Sequence, residues 1–531
     1  MFVDTEDMAL GVQRLVDQYG TLPLNPAYVL VGNKPSDLPA AYFRDQETDR
    51  MVTYGDLVIE SARWAEFLRE RGVEPGDRVA SYVPKGRALL GLALGIWRLG
   101  AVYLPLFTAF GPDAVSYRVD HSAAKLVIAT EALAPKLPAV LAGRTVTVEQ
   151  VMQKEGSLGM DDWVLREPDD PMILMYTSGT TGHPKGVPMP TRVLSTIEAY
   201  MRWALDVRPE DRYWNLADPG WAYGLAFALI GPWLIGKANY WLEQPFDPKT
   251  AIDWIDHWGI THFAAAPTVY RAIRAQGLAL PPTLRALSSA GEPLNPSVSA
   301  WAQETVGVPI LDHYGQTEAG MPINNHRFLA LRRRVKPGSM GQAMPGIRAV
   351  IVDDDGNELS PGQEGHLAID VQHSPLFSFR GYYHNEAATQ ERFVGQGRYY
   401  LTGDEARLDD EGDFFFVSRS DDVILTAGYR VGPFDIESVL TMHPAVAECA
   451  VVGVPDSLRG QAIKAFVVLR KGYEPTQALE SDLQDLVRDR LAKTEYPRQV
   501  AFVEALPKTP SGKVQRFVLR EMAMGGESQS S

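Results

Sequence analysis

Short apolar runs alternate with amphipathic segments through most of the chain, the pattern of α/β layers. Gly76–Pro84 predicts a strand, Arg87–Leu99 an apolar helix, and Ala101–Pro105 a second strand. The alternation resumes after Trp254, through Thr261–Pro267, Leu284–Ser289 and Val308–His313. From Gly338 the texture changes. The turn-forming stretches DDDGNE, SPGQEG and DDEGD separate alternating runs at Arg348–Val352, Gly365–Ile369 and Phe414–Val417, which predicts a β-rich subdomain. A smaller α/β unit then follows. Helices are predicted over Pro433–Thr441 and Glu480–Ala492, with strands over Val446–Val454 and Ala462–Leu469. The polar tail beyond Met524 is expected to be mobile.

A chain of 531 residues has room for three or four folding units. Hydrophobic residues make up 45% and charged residues 22%, which excludes global disorder. The 51 Lys and Arg against 66 Asp and Glu leave a formal net charge of −15. That charge argues against a general nucleic-acid binder, which needs a basic face. An anion could still bind at a local, concentrated site. Cys449 is the only cysteine, so an intrachain disulfide and a cysteine-based zinc site are excluded, and its apolar surroundings read as core packing. No secretory h-region opens the chain and no lipidation address ends it. The longest apolar run, Ala88–Trp97, is half the ~20 residues that span a bilayer. The expectation is a soluble, cytoplasmic protein without a membrane span.

Residues 176–187 carry the chemistry: Tyr-Thr-Ser-Gly-Thr-Thr-Gly-His-Pro-Lys-Gly-Val, directly after the apolar strand Met172–Met175. Glycines allow close backbone approach with N–H groups turned inward, hydroxyls add donors, and Lys185 adds charge. Such a loop suits a polyphosphate. It lacks the GxxxxGK[ST] spacing of a Walker A loop, and no GxGxxG occurs in the chain.

This loop resembles the signature of the adenylate-forming acyl- and aryl-CoA synthetases, of the superfamily that includes nonribosomal adenylation domains and luciferases. Similar motifs follow in the family's order: Ala217–Gly224, Ser289–Leu294, Asp312–Glu318, Tyr400–Asp404, Ser418–Ile424, Ala427–Val431 and Leu506–Lys513. The resemblance covers nearly the whole chain and points to the short- and medium-chain acyl-CoA synthetases. It implies an α/β fold with a large N-terminal adenylation domain (1–420) of layered α/β subdomains plus the β-rich subdomain, and a small mobile C-terminal domain (421–531).

The resemblance also implies two half-reactions: a carboxylic acid and ATP give acyl-AMP and pyrophosphate, then coenzyme A takes the acyl group. Thr177, Ser178, Gly179, Thr180, Thr181, Gly182 and Lys185 would wrap the phosphates. Gly291, Glu292, Pro293 and Tyr314 would form the adenine slot, with Asp312, Gly315 and Gln316 beside it. Asp404 and Arg419 would hold the ribose. Thr317 would contact phosphate and Glu318 would hold Mg²⁺, a hard cation suited to oxygen ligands. Lys513 would stabilise charge on the α-phosphate. Asp421 matches the hinge, Gly428 the glycine beside the coenzyme A tunnel, and Arg430 a phosphate contact. Acetylation of Lys513 would remove its charge, which makes a lysine acetyltransferase and deacetylase the expected regulatory partners.

Trp221, Tyr223, Ala266 and Gly315 are the candidate acyl pocket. Acetate-specific relatives place a tryptophan at the position of Gly315, so the glycine is expected to leave space for a short- to medium-chain or branched aliphatic acid. A benzoate-type acid is the second reading. Loading of a carrier protein and nucleotide sensing without turnover are the other functions considered. The family's histidine beyond the loop is replaced by Met189-Pro-Thr191, and His183 is read as solvent-facing. The oligomeric state is not legible.

Overall fold

The computed structural model describes residues 7–45, 48–152, 162–177, 184–419, 422–426, 429–456, 459–491, 496–508 and 513–525. Ser178, Gly179, Thr180, Thr181, Gly182, His183, Asp421, Gly428 and the tail from 526 lie outside them.

The first apolar runs build a six-stranded sheet in the order 145–147, 126–129, 78–82, 102–105, 171–177 and 185–190. All neighbours are parallel except the last pair, a hairpin. Strands Val102–Pro105 and Leu126–Ala129 are buried throughout, as parallel strands covered on both faces must be. One cover is the helix Arg87–Arg98, buried from Leu89 to Arg98. It packs on the helix Tyr54–Glu70, which a Thr53/Asp56 capping box starts.

The second alternation forms four parallel strands, Tyr213–Asn215, His262–Ala265, Ala286–Ala290 and Ile310–Gln316. The texture change at Gly338 does not open a separate layer. Strand Gly320–Asn324 pairs antiparallel with both Ile310–Gln316 and Ser339–Ala343, and the later strands continue edge to edge into one eleven-stranded sheet. Gly341 sits at this junction with φ +93° and presses on the backbone of Asn324 and Asn325, an approach that no side chain permits. A β-rich pattern reveals strands but not their neighbours, so the expected subdomain appears as an extension of the α/β sheet.

The last unit has a five-stranded sheet that includes Val446–Asp456 and Gly460–Leu469. Helices Pro433–Leu440 and Gln477–Arg490 cover a core of Ile436, Leu440, Val451, Ile463, Leu483 and Val487. Cys449 packs beside that core, where burial and the Glu437 charge raise its thiol pKa, as befits an inert side chain.

Candidate active site

Loops at the carboxyl ends of adjacent parallel strands are where open α/β sheets bind ligands. Four motifs stand there in the large sheet. Ala217–Gly224 follows strand Tyr213–Asn215, Ala266 follows His262–Ala265, Gly291 follows Ala286–Ala290, and Thr317-Glu318 follows Ile310–Gln316. The phosphate-loop candidate springs from the corresponding end of the six-stranded sheet. Its described ends are paired as Thr177↔Lys185. Tyr117 Oη donates to the Pro184 carbonyl at 3.2 Å, and the Tyr383 amide to the Gly186 carbonyl at 2.8 Å.

The two sheets meet through Tyr382, which sequence reasoning missed. Its hydroxyl donates to Glu318 Oε1 at 2.8 Å, and the Lys185 ammonium lies 5.1 Å from its ring centroid. This tyrosine therefore joins the hairpin lysine to the candidate metal carboxylate. Arg392, also missed, adds a positive charge that acts on both Tyr382 and Asp404. Neither residue stands in a recognisable motif.

Asp404 is buried on strand Tyr399–Leu408, paired across from Arg419. Its Oδ2 accepts from Tyr314 Oη and, at 3.3 Å, from Gln316 Nε2. Gln316 is fixed in turn by Tyr400 Oη, which donates to its Oε1 at 2.8 Å. Among the described residues Oδ1 of Asp404 takes no hydrogen bond, with Arg419 Nε 3.3 Å away. A buried carboxylate with an unused acceptor is what a pair of ribose hydroxyls needs. Burial raises the Asp404 pKa, while Arg419, Tyr314 and Lys513 pull it down.

Gly291 has φ +101°, and no atom lies within 4 Å of where its Cβ would stand, so open space flanks the candidate adenine slot. The Glu292 side chain turns elsewhere, accepting from Thr268 N at 3.1 Å and Arg271 at 3.0 Å. Pro293 completes this turn. Asp312 accepts from the Leu294 amide at 3.3 Å. Burial pushes its carboxyl up to about 8, helped by the Glu292 charge and opposed by the amides of Leu294 and His313.

A pKa raised on folding means that the native state binds this proton more tightly than the unfolded chain. The resulting stability is complete below the usual carboxylate range, near pH 4, and is lost as pH rises through about 8. Asp312→Asn should therefore gain thermal stability relative to the parent as pH rises from 5.5 to 8.5. Melting curves across that range check it, and a constant difference would refute it.

The acyl candidates separate into two groups. Trp221 packs against Phe107 and Phe110, with ring centroids 5.3 and 5.6 Å away. Tyr223 packs on Phe227, and its hydroxyl lies 3.2 Å from that of Tyr200. Ala266 caps the helix Pro267–Ala275. The opening expected at Gly315 is absent: a Cβ there would run into Met321 Sδ and the Gly320 carbonyl oxygen. Sequence shows that a side chain is missing, not what occupies its place.

Lys513 belongs to the small unit, yet its ammonium feels the charges of Glu292, Glu318, Asp404 and Arg419. The residue keeps solvent-exposed surface. Crowding of its ammonium lowers the pKa, Arg419 adds to this, and the three carboxylates oppose it. Arg430 lies on strand Tyr429–Val431 of the same unit.

Residues 31–383 match the model of AMP-binding enzymes, and residues 435–513 match that of the AMP-binding enzyme C-terminal domain. The chain belongs to the AMP-binding enzyme family. It is 37% identical to the acetyl-coenzyme A synthetase of Bacillus subtilis over 506 residues, 91% of this chain and 86% of that one. An acyl-CoA synthetase structure from Brucella canis is 40% identical, with a TM-score of 0.74, over 99% of this chain and 98% of that one. An anthranilate CoA ligase in complex with anthranoyl-AMP is 28% identical, with a TM-score of 0.87, over 96% and 99%.

This AMP-binding enzyme is an AMP-forming ligase with ATP and coenzyme A as substrates, as the resemblance implied. Among the described residues no helix is long and apolar enough to cross a membrane, and no cluster of three or more His, Cys, Asp or Glu could cage a metal.

Proposed function

We propose that the enzyme activates a short- to medium-chain aliphatic acid, straight or branched, and transfers it to coenzyme A. The observation that carries the site reading is the Lys513 charge acting among Glu292 and Glu318, which follow strand ends of the large sheet, and Asp404, which lies within its strand Tyr399–Leu408. In the first half-reaction a carboxylate oxygen attacks the α-phosphorus of ATP as the bond to pyrophosphate breaks. The acid is already ionised, so the demand is electrostatic, and Lys513 meets it. Asp404 and Arg419 hold the ribose. Gly291, Pro293 and Tyr314 bound the adenine slot, while Thr317 and Lys185 steady the phosphates. Mg²⁺ suits this site because such ions are held by one or two carboxylates plus substrate phosphates. Glu318 would hold it, and when bound it neutralises phosphate charge.

In the second half-reaction the thiol attacks the acyl carbon and AMP leaves. Asp421 serves as the hinge between 1–420 and 421–531, and Gly428 keeps the thiol's passage open. Acetylation of Lys513 in the cytoplasm would silence the first step only.

The apolar wall of Trp221, Phe107 and Phe110 supports an apolar acid. The argument against acetate rested on Gly315 and falls with it. An aryl acid is the second reading, favoured by the fit to the anthranilate ligase. Pyrophosphate release with straight-chain acids of two to ten carbons, isobutyrate, benzoate and anthranilate, with and without coenzyme A, tests both. Highest kcat/KM with an aliphatic acid is expected. Preference for benzoate or anthranilate would replace the first reading by the second, and turnover only with a carrier protein would replace coenzyme A as the acceptor.

A further inference from the structure

The groups that fix the chain around Lys513 belong to none of the residues assigned above. Lys508 and Val514 form an antiparallel bridge, and the Gln515 amide donates to the Pro507 carbonyl at 2.9 Å. The segment carrying Lys513 is thus closed at its base. Three residues later Arg516 opens the helix Arg516–Gly525. Its guanidinium donates to both carboxylate oxygens of Glu437, at 2.7 and 2.9 Å, and lies 3.7 Å from Asp422. Glu437 also accepts from the Val451 amide at 2.8 Å, which ties it to strand Val446–Asp456 at the edge of the small unit's sheet. Asp422 accepts from Arg520 at 2.9 Å, and its own amide donates to the Arg419 carbonyl at 3.0 Å.

One guanidinium nitrogen, Nη2, bridges both Glu437 carboxylate oxygens while Nη1 faces Asp422, so a planar group is set between two carboxylates, which a lysine's point charge does not reproduce. Burial works against the Arg516 charge, but Glu437 and Asp422 outweigh it. The fork therefore links three things: the segment bearing Lys513, the core of the small unit, and the residue next to the proposed hinge.

We propose that Arg516 is a positioning residue for acyl-adenylate formation, its fork to Glu437 and Asp422 setting where the Lys513 ammonium arrives among Glu318, Asp404 and Arg419. The inference rests on the assignment of Lys513 to the first half-reaction. Arg516 acts through Lys513, since its guanidinium is engaged within the small unit. Displacement of a reacting or stabilising group by about 1 Å can cost about a hundredfold in rate. Part of that loss is expected when the fork is removed and the helix start is free to shift.

The test uses the full chain, the best acid of the screen above, and four variants: Arg516→Gln, Arg516→Lys, Lys513→Ala, and Arg516→Gln combined with Lys513→Ala. Pyrophosphate release reports the first half-reaction. Thioester formation from supplied acyl-AMP and coenzyme A reports the second. Arg516→Gln should lower kcat for adenylation by about 10- to 50-fold, leave the KM for ATP within about threefold, and spare thioester formation. Arg516→Lys should recover part of the loss. Added to Lys513→Ala, Arg516→Gln should cost less than about twofold more, because the group it positions is gone. Equal loss of both half-reactions, or a full multiplicative loss in the combined variant, would overturn the proposal. Should Arg516→Gln fold poorly, Asp422→Asn is measured in the same way, and a loss confined to adenylation is expected; no such loss overturns the proposal. Full adenylation by Lys513→Ala would instead overturn the reading of Lys513. Loss there, with Arg516→Gln active as the parent, would overturn this inference alone.

Discussion

Lys513→Ala is expected to slow acyl-adenylate formation by at least about a hundredfold, the cost of one strong donor to developing oxyanion charge, about 3–4 kcal/mol. The ammonium lies within the influence of the Glu292, Asp404 and Glu318 charges. Its removal leaves Asp404, proposed for the ribose, and the hairpin bearing Lys185 in place, so ATP should still bind. Thioester formation from supplied acyl-AMP should be largely retained, since the second step needs passage for the thiol rather than charge on the α-phosphate. Gly428→Leu, in the proposed thiol passage, should do the reverse. Single-turnover assays of the two steps separate these outcomes, and equal loss of both steps in both variants would refute the division of labour.

Gly315→Trp is the second large effect. With open space at this position an indole would shorten the acyl pocket and shift preference toward acetate. The structure predicts otherwise, because the first side-chain atom already meets Met321 Sδ and the Gly320 carbonyl. A methionine side chain can move, but the carbonyl belongs to the strand Gly320–Asn324, which pairs on both sides. Overpacking costs about 1–3 kcal/mol and more where backbone must shift. The expected result is a lower melting temperature and a fall in kcat/KM of about two orders of magnitude for every acid, acetate included, equivalent to roughly 2.7 kcal/mol. Thr317 and Glu318 lie in the turn between the strand that bears Gly315 and this one, so ATP use should suffer as well. A chain-length series for both enzymes decides it. Retained acetate activity with loss confined to longer acids would show that the strand yields and that the pocket reading of Gly315 was right.

Much of this molecule is legible in its sequence because its elements are local. Helix Arg87–Arg98 follows from an apolar run, and Pro433–Leu440 begins on a proline at its first position. The opening helix Met8–Gly20, started by Asp7 accepting from the Ala9 amide, is less legible, because only Gly11, Leu15 and Tyr19 of it are buried and no motif marks it. The family was legible because its motifs are local runs of glycine and hydroxyl side chains that stand in order along the chain. What the sequence hides is partnership. Tyr382 reaches Glu318 across 64 positions, and Arg516 reaches Glu437 across 79. No local spacing encodes either pair. Met321 and Gly315 are near in sequence, but whether one fills the other's place depends on the bulge where Tyr314 and Gln316 shift register against Gly320–Asn324.

The continuous eleven-stranded sheet has a mechanical consequence. Asp404 and the turn bearing Glu318 are carried by strands of one hydrogen-bonded plate, so the proposed grips on ribose and metal have little freedom to travel relative to each other. The phosphate-loop hairpin hangs from a different plate, and Lys513 from a third. On the proposed assignments, nucleotide capture would bring two jaws onto one anvil. Adjustment to the nucleotide is then expected in the hairpin and the small unit rather than within the large plate.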